Sequence, residues 1–224
     1  MAQHDDDSFI REVNEELRSD QMKYAWSRYR SLVIAIAVLI IGGTTASVLY
    51  EWYDSHTSSK SGDQFLAALK LAEDNKLDEA LSAFEALEKD GTGAYPVLAR
   101  MRAASVQQAK GDTAGAIAAF SGIGKEAAAP QAVRDLAKMR AAWLLIDTGT
   151  YEQVAAEVQA TANPGNPLAN SAREALGLSA YKAGDMAKAK EWFQQIANDT
   201  AAPRNVANRA QIMLDNIASS GKAP

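Results

Sequence analysis

The sequence contains no cysteine, and this absence removes several classes of site. It excludes disulfide bonds, zinc sites built on thiolates, a thiol nucleophile and a lipid-modified N-terminal cysteine. The chain also lacks an excess of basic residues, because its 23 Lys and Arg are outnumbered by 28 Asp and Glu. Nucleic-acid-binding domains usually present a basic face, so we expect no nucleic acid among its partners.

Aromatic and β-branched residues are scarce as well. Aromatics make up 7% of the chain, and the β-branched runs are nearly confined to residues 32–48. Much of the apolar fraction is alanine, which is the strongest helix former and allows helices to pack closely. This balance predicts an all-α protein.

One long apolar run is present at residues 32–49, which form 18 consecutive uncharged positions. Extended to Tyr53, the run is long enough to cross a hydrocarbon core of ~30 Å as a helix. Aromatic residues flank it on both sides, as they do at membrane interfaces; they are Trp26, Tyr29, Tyr50, Trp52 and Tyr53. We therefore predict a single transmembrane helix over residues 32–53.

Basic residues flank this span unevenly. Four of them precede it closely (Arg18, Lys23, Arg28 and Arg30), and only Lys60 follows at a similar distance. Because basic flanks stay in the cytoplasm, we predict a cytoplasmic tail over 1–31 and a periplasmic C-terminal domain on a bacterial inner membrane. The alternative is a cleaved signal peptide, although the apolar run exceeds the usual length of such a segment.

The predicted span contains two overlapping pairs of small residues at a spacing of four, formed by Gly42, Gly43, Ala46 and Ser47. Such pairs allow a second membrane helix to approach closely. They are candidate packing residues for a partner helix, with ordinary membrane-helix composition as the alternative.

A repeat follows a short polar linker at residues 54–61. Four helix–turn junctions align on Asn75, Gly111, Gly149 and Gly184, at spacings of 36, 38 and 35 residues. These are residue types that reach left-handed backbone angles at helix ends. Further along each repeat come a small residue and then a large apolar one, at a spacing that predicts a buried helix face. These pairs are Ala80 and Phe84, Ala116 and Phe120, Val154 and Val158, and Ala189 and Phe193.

Two further positions recur. Twelve residues before each of those small residues stands another one: Ala68, Ala104, Ala142 and Gly177. Prolines recur at Pro96, Pro130, Pro167 and Pro203, and we expect each to stand where a new hairpin begins. The sequence thus predicts four helical hairpins and a capping helix over residues 62–219, with a short tail at 220–224.

This pattern resembles the tetratricopeptide repeat, a helix–turn–helix unit of about 34 residues. The resemblance implies a helical-hairpin superhelix whose first helices line the concave side. The chain departs from that pattern at one position, where a large aromatic residue is expected early in the first helix. Gln64, Arg100, Lys138 and Arg173 stand there instead.

The whole layout is similar to the YfgM-type family, whose members are ancillary subunits of the bacterial SecYEG translocon. It shares an acidic tail, a basic flank, one span, an aromatic exit and degenerate repeats. The resemblance implies an inner-membrane anchor, a periplasmic domain, and contact with the translocon and periplasmic chaperones. The alternative is a repeat-type assembly factor for another inner-membrane complex, such as one in cytochrome biogenesis.

Two observations bear on chemistry. The only histidines are His4 and His56, on opposite sides of the predicted membrane, and carboxylates are scattered over polar helix faces. Because catalysis needs several convergent groups, we expect no enzyme activity, cofactor, metal or small-molecule substrate.

Basic residues of two successive first helices are the candidate partner-binding residues. They are Arg100, Arg102, Arg134, Lys138 and Arg140. We expect Arg102 and Arg140 to stand one repeat apart on one groove, where guanidinium groups suit acidic peptide segments. The alternative is that they are solvated charges that offset nearby acids.

Overall fold

The computed structural model describes residues 59–220, and this part of the chain contains nine α-helices and no strand. The helices are α1 (59–73), α2 (Leu77–Asp90), α3 (Tyr95–Ala109), α4 (Thr113–Lys125), α5 (Gln131–Thr148), α6 (Tyr151–Val158), α7 (Ala169–Lys182), α8 (Met186–Ala197) and α9 (Arg204–Ser219). The prediction of an all-α repeat domain is confirmed for these residues.

The predicted cytoplasmic tail, the transmembrane helix and most of the linker lie outside the described residues, as do Gly42, Gly43, Ala46 and Ser47. Among the helices of residues 59–220, none is both long and apolar enough to cross a membrane.

The helices pair into four consecutive hairpins, in which each helix packs on the next one along the chain. Helix α5 also packs on α7, and α9 packs on both α8 and α7. Helices α1, α3, α5 and α7 are therefore the first helices of the hairpins, and α9 covers the last hairpin.

The core of each hairpin is built from one large and one small residue. Phe84, Phe120 and Phe193 are at most 1% exposed, and the small residues opposite them are equally inaccessible. Gly177 lies directly against such a ring, because an added Cβ would lie 2.8 Å from Cζ of Phe193. Since a full aromatic ring occupies the space that a side chain would need, the predicted core register is confirmed.

The turns inside the hairpins follow the prediction at three of four places. Asn75, Gly111 and Gly184 have φ angles of 58°, 88° and 82°. At Gly149 the prediction is wrong, because φ is −112° and the backbone is extended. Helix α5 continues to Thr148, and Thr150 then forms a reciprocal capping box with Gln153 at the start of α6. A Cβ added at Gly149 would lie 2.7 Å from Oε1 of Gln153, the atom that accepts the Thr150 N–H, so the Gln153 side chain would have to shift.

The prolines mark the starts of helices in three different ways. Pro96 lies within the first turn of α3, Pro130 and Pro203 occupy the N-cap positions of α5 and α9, and Pro167 precedes α7 by two residues. Before Pro167 the chain makes a longer connection, because α6 ends at Val158 after only eight residues. This connection, residues 159–168, borders the candidate site.

Candidate protein-binding surface

Helices α3 and α5 contain nearly the same seven residues, LARMRAA at 98–104 and LAKMRAA at 136–142. In both copies the alanines are buried against neighbouring helices. The first and fifth residues of each copy are exposed: Leu98 and Arg102 in α3, and Leu136 and Arg140 in α5. Residues four apart share one face of a helix, so α3 and α5 each present a leucine and an arginine side by side.

An open cavity lies over this face of α5. It has a volume of about 360 Å³ and includes Arg140, Trp143 and Leu136 from α5, with Leu168 from the end of the preceding connection to α7 and Ser171 from α7 itself. Leu136 and Trp143 are 45% and 38% exposed, which is high for large apolar side chains in a packed domain. Exposed apolar side chains grouped in one place indicate an interaction site more strongly than single ones.

A second cavity of about 720 Å³ adjoins the first and shares Leu136 and Leu168 with it. Its remaining lining comes from the first turns of α5 and from the connection before α7, including Ala132 and Pro167. We call the two adjoining cavities together the α5 groove. The groove is apolar at the Pro167 end and has a cationic side chain at the Arg140 end.

Hydrogen bonds hold the wall of the α5 groove in place. The buried carboxylate of Asp135 accepts one from Nε2 of Gln131 at 2.7 Å and one from Nδ2 of Asn166 at 2.9 Å. Oδ1 of Asn166 in turn accepts from the backbone N–H of Leu168 at 2.8 Å. The connection is thereby fixed to α5, and the position of Leu168 follows from it.

The five predicted basic residues divide into two groups. Arg102 and Arg140 are exposed and, within residues 59–220, form no ion pair, which leaves their guanidinium groups accessible. Arg100 instead forms ion pairs with Glu88, at 3.3 Å, and with Glu126. Arg100 precedes Arg102 by two residues, or about 200° around a helix, so it faces the second helices rather than the groove.

Lys138 and Arg134 also lie away from Arg140. Lys138 is partly buried against α4, since a Cβ added at Gly124 would lie 2.6 Å from its Cγ. Arg134 donates a hydrogen bond to the carbonyl oxygen of Ala127 at 3.1 Å and another to Gln131. Both residues therefore contact the connection and helix that precede α5.

The position that lacks the expected aromatic residue has a recurring structural role. Arg100 joins Glu126, just after α4, to Glu88 of α2. In the last hairpin the matching Arg173, almost fully buried, pairs with Asp199 at 3.0 Å and donates to the carbonyl oxygen of Ala162. In both cases an arginine links the C-terminal ends of two successive second helices, or the residues that follow them.

This arrangement also perturbs Asp199. The backbone N–H of Ala201 holds the pKa of the Asp199 carboxyl below its ordinary value, and the side chains of Asn170 and Arg173 lower it further. Three donors to one carboxylate stabilise its charged form. They connect α7 to the turn that precedes α9.

Sequence reasoning did not identify the apolar half of the surface. Leu98, Leu136, Trp143 and Leu168 were not among the predicted site residues. A signal was available, because the match between the two first helices extends back to Leu98 and Leu136 and both leucines fall one turn before the exposed arginines.

In the described residues no group of His, Asp and Glu side chains could hold a metal ion.

Comparison with known proteins agrees with this architecture. The chain matches, over residues 23–219, the family described as a tetratricopeptide repeat-like domain. No curated protein matches it. The match spans the large majority of the chain and includes all four hairpins and all of α9. The chain therefore belongs to the tetratricopeptide repeat-like domain family.

Proposed function

We propose that this protein is a membrane-anchored periplasmic scaffold that binds other proteins at the protein-export translocon. It would recruit chaperones to the exit side or hand over exported chains. The observation that carries the proposal is the face of α3 and α5, where Leu98, Leu136 and Trp143 are exposed beside Arg102 and Arg140. A helical-repeat domain with such a face is suited to holding a polypeptide.

Binding without chemistry is the mechanism that we infer. Apolar side chains supply affinity when a partner covers them, and an accessible guanidinium group selects for carboxylates. The proposal requires no catalytic group, cofactor or metal. Anchoring adds to this, because a domain that is tethered beside its partner meets it at a high effective concentration.

The membrane location rests on the amino-acid sequence. Residues 32–53 are long and apolar enough to span a bilayer, and the preceding basic residues favour a cytoplasmic N-terminus. The family match begins at residue 23 and so includes this segment. A reporter that is active only outside the cytoplasm should work when fused after Pro224 and fail when fused before Ser31. The reverse pattern would exclude the periplasmic location.

We infer association with the translocon from the similarity to the YfgM-type layout. The full-length chain, purified from membranes in mild detergent, should bring translocon subunits and periplasmic chaperones with it. Recovery of a cytochrome-assembly complex instead would favour the second hypothesis for this chain.

Variants separate the two candidate contact regions. Changing Arg102 and Arg140 together to Glu should weaken capture through the repeat domain and leave the circular dichroism spectrum unchanged, because both side chains are exposed. Replacing residues 32–53 by an unrelated span tests the Gly42, Gly43, Ala46 and Ser47 surface. Unchanged capture by both variants would contradict a role for either region.

A further inference from the structure

The α5 groove has a shape and a charge distribution that fit a particular kind of peptide segment. We propose that it binds an extended segment of a partner protein that carries a large apolar side chain and a carboxylate close together along its chain. The apolar side chain would occupy the cavity beside Pro167, and the carboxylate would pair with Arg140. This inference rests on the proposed protein-binding function and deepens it by naming the chemistry of the partner.

The apolar cavity is large enough for this role. Its volume of about 720 Å³ lies within the range of small-molecule and side-chain binding pockets. Leu136 and Leu168 form the boundary between the two cavities, so a segment that enters one can continue into the other. Leu136 is 45% exposed, and a partner side chain that covered it would remove apolar surface from water.

Hydrogen bonds of a buried carboxylate fix the shape of the α5 groove. Asp135 is 7% exposed, and its two hydrogen bonds hold Gln131 of α5 and Asn166 of the connection. Asn166 in turn fixes the backbone of Leu168. The wall of the cavity is therefore shaped before any partner arrives, which reduces the entropy lost on binding.

The charges at the two ends of the groove determine where the carboxylate of the segment lies. Asp135 borders the apolar cavity and Arg140 borders the other one. A carboxylate of the partner is disfavoured near Asp135 and favoured at Arg140, which is exposed and forms no ion pair within the described part of the chain. Trp143 lies three residues after Arg140 on the same face and adds a flat apolar surface beside the guanidinium group.

The test uses fluorescein-labelled synthetic peptides and the purified full-length chain, with binding followed by fluorescence anisotropy. The probe is a twelve-residue Gly/Ser peptide that contains one leucine followed by glutamate. One control peptide has lysine in place of glutamate, and another has serine in place of leucine. The wild-type protein should bind the probe about tenfold or more tightly than either control.

Protein variants locate the binding. Leu136→Ser and Arg140→Glu should each weaken binding of the probe about tenfold or more, and Arg140→Glu should in addition prefer the lysine peptide. The matched controls are Leu66→Ser, since Leu66 is 64% exposed on α1, and Arg204→Glu on α9. Both controls should bind like the wild type, and circular dichroism should show all four variants folded.

Several results would overturn the proposal. They are an absence of probe binding, equal binding of the glutamate and lysine peptides, and equal effects of the groove variants and their controls. A self-associated wild-type chain that dissociates on Leu136→Ser in analytical ultracentrifugation would show that a second copy occupies the groove, and would also overturn it.

The outcome is separable from that of the translocon proposal. If translocon subunits co-purify with the chain but the chain binds all the peptides equally, the proposed function stands and the α5 groove is excluded as the peptide site. If the chain discriminates the peptides but recovers no translocon subunit, the α5 groove stands as a peptide site and the translocon association is excluded.

Discussion

Arg209 of α9 binds Glu174 of α7 through two parallel hydrogen bonds, from Nε to Oε1 at 2.5 Å and from Nη2 to Oε2 at 2.7 Å. The Glu174 side chain is 5% exposed and the Arg209 side chain 52% exposed. The carboxylate is therefore withdrawn from water, and the guanidinium group covers it from outside. This pair fastens the terminal helix onto the last hairpin and raises the pKa of Arg209.

Removing this guanidinium group should loosen the end of the stack. We expect Arg209→Ala to lower the free energy of unfolding by about 1–3 kcal/mol, because Glu174 stays buried without a charged partner. Arg209 is itself half-exposed, and solvent screening keeps the loss below that of a fully buried pair. The matched control is Arg204→Ala in the first turn of α9, with an expected change within about ±0.5 kcal/mol. Urea denaturation of both variants measures the difference, and equal midpoints would contradict the role of the pair.

The three buried phenylalanines should each contribute a large and similar amount to the free energy of unfolding. Phe84→Ala, Phe120→Ala and Phe193→Ala should each lower the free energy of unfolding by about 3–5 kcal/mol, since each leaves a cavity in a closed core. Val158→Ala should cost less because fewer atoms leave. Ile212→Ala serves as the control, since Ile212 is 59% exposed. A phenylalanine variant whose melting temperature equals that of the Ile212→Ala variant would show that its ring lies outside the core.

Two glycines test whether close packing or backbone freedom matters inside a helix. Gly177→Ala places a Cβ 2.8 Å from the ring of Phe193 and should destabilise the protein by about 1–3 kcal/mol through overpacking. A Cβ at Gly122 of α4 would meet nothing within 4 Å. Gly122→Ala should therefore stabilise the protein by about 0.5–1 kcal/mol through helix propensity. Thermal melts of the two variants should move in opposite directions, and a shift of the same sign for both would contradict this account.

The lowered pKa of Asp199 predicts a pH-dependent contribution to stability. The unfolded carboxyl has the ordinary pKa of 3.8, whereas the folded one is held lower by Ala201, Asn170 and Arg173. The unfolded state thus binds the proton more readily, so the stabilisation is complete above pH 3.8 and is lost as the pH falls through the lowered folded pKa. The melting-temperature difference between wild type and Asp199→Asn should be largest near neutral pH and shrink below the ordinary pKa. A difference that grows with acid would reverse the sign and contradict the assignment.

The regular part of the fold could be predicted because it depends on local spacing. A helix turns through a constant angle per residue, so a small residue and a large apolar one four positions later fall on the same buried face. Phe84, Phe120 and Phe193 occupy that position, and the small residue opposite each is fixed by the length of one hairpin. Agreement among four copies then excludes other registers.

The candidate surface could be predicted only in part, because the amino-acid sequence does not say where a long side chain ends. Arg100 and Arg102 are two residues apart, and their surroundings differ completely. Arg100 reaches the carboxylates of Glu88 on α2 and of Glu126 just after α4, and Arg102 meets none among residues 59–220. Those carboxylates come from other hairpins or connections, and their distance depends on how the helices stack.

The amino-acid sequence by itself determined the helical class, the repeat spacing and the core positions, since these follow from periodicity and from the size of each residue. Only the tertiary structure decided which basic residues are structural and which are accessible. It also decided that Leu136 and Leu168 meet at one groove, and that Gly149 leaves its helix in an extended conformation. These features depend on contacts between residues far apart in the chain, and such contacts arise only when one hairpin has packed on the next.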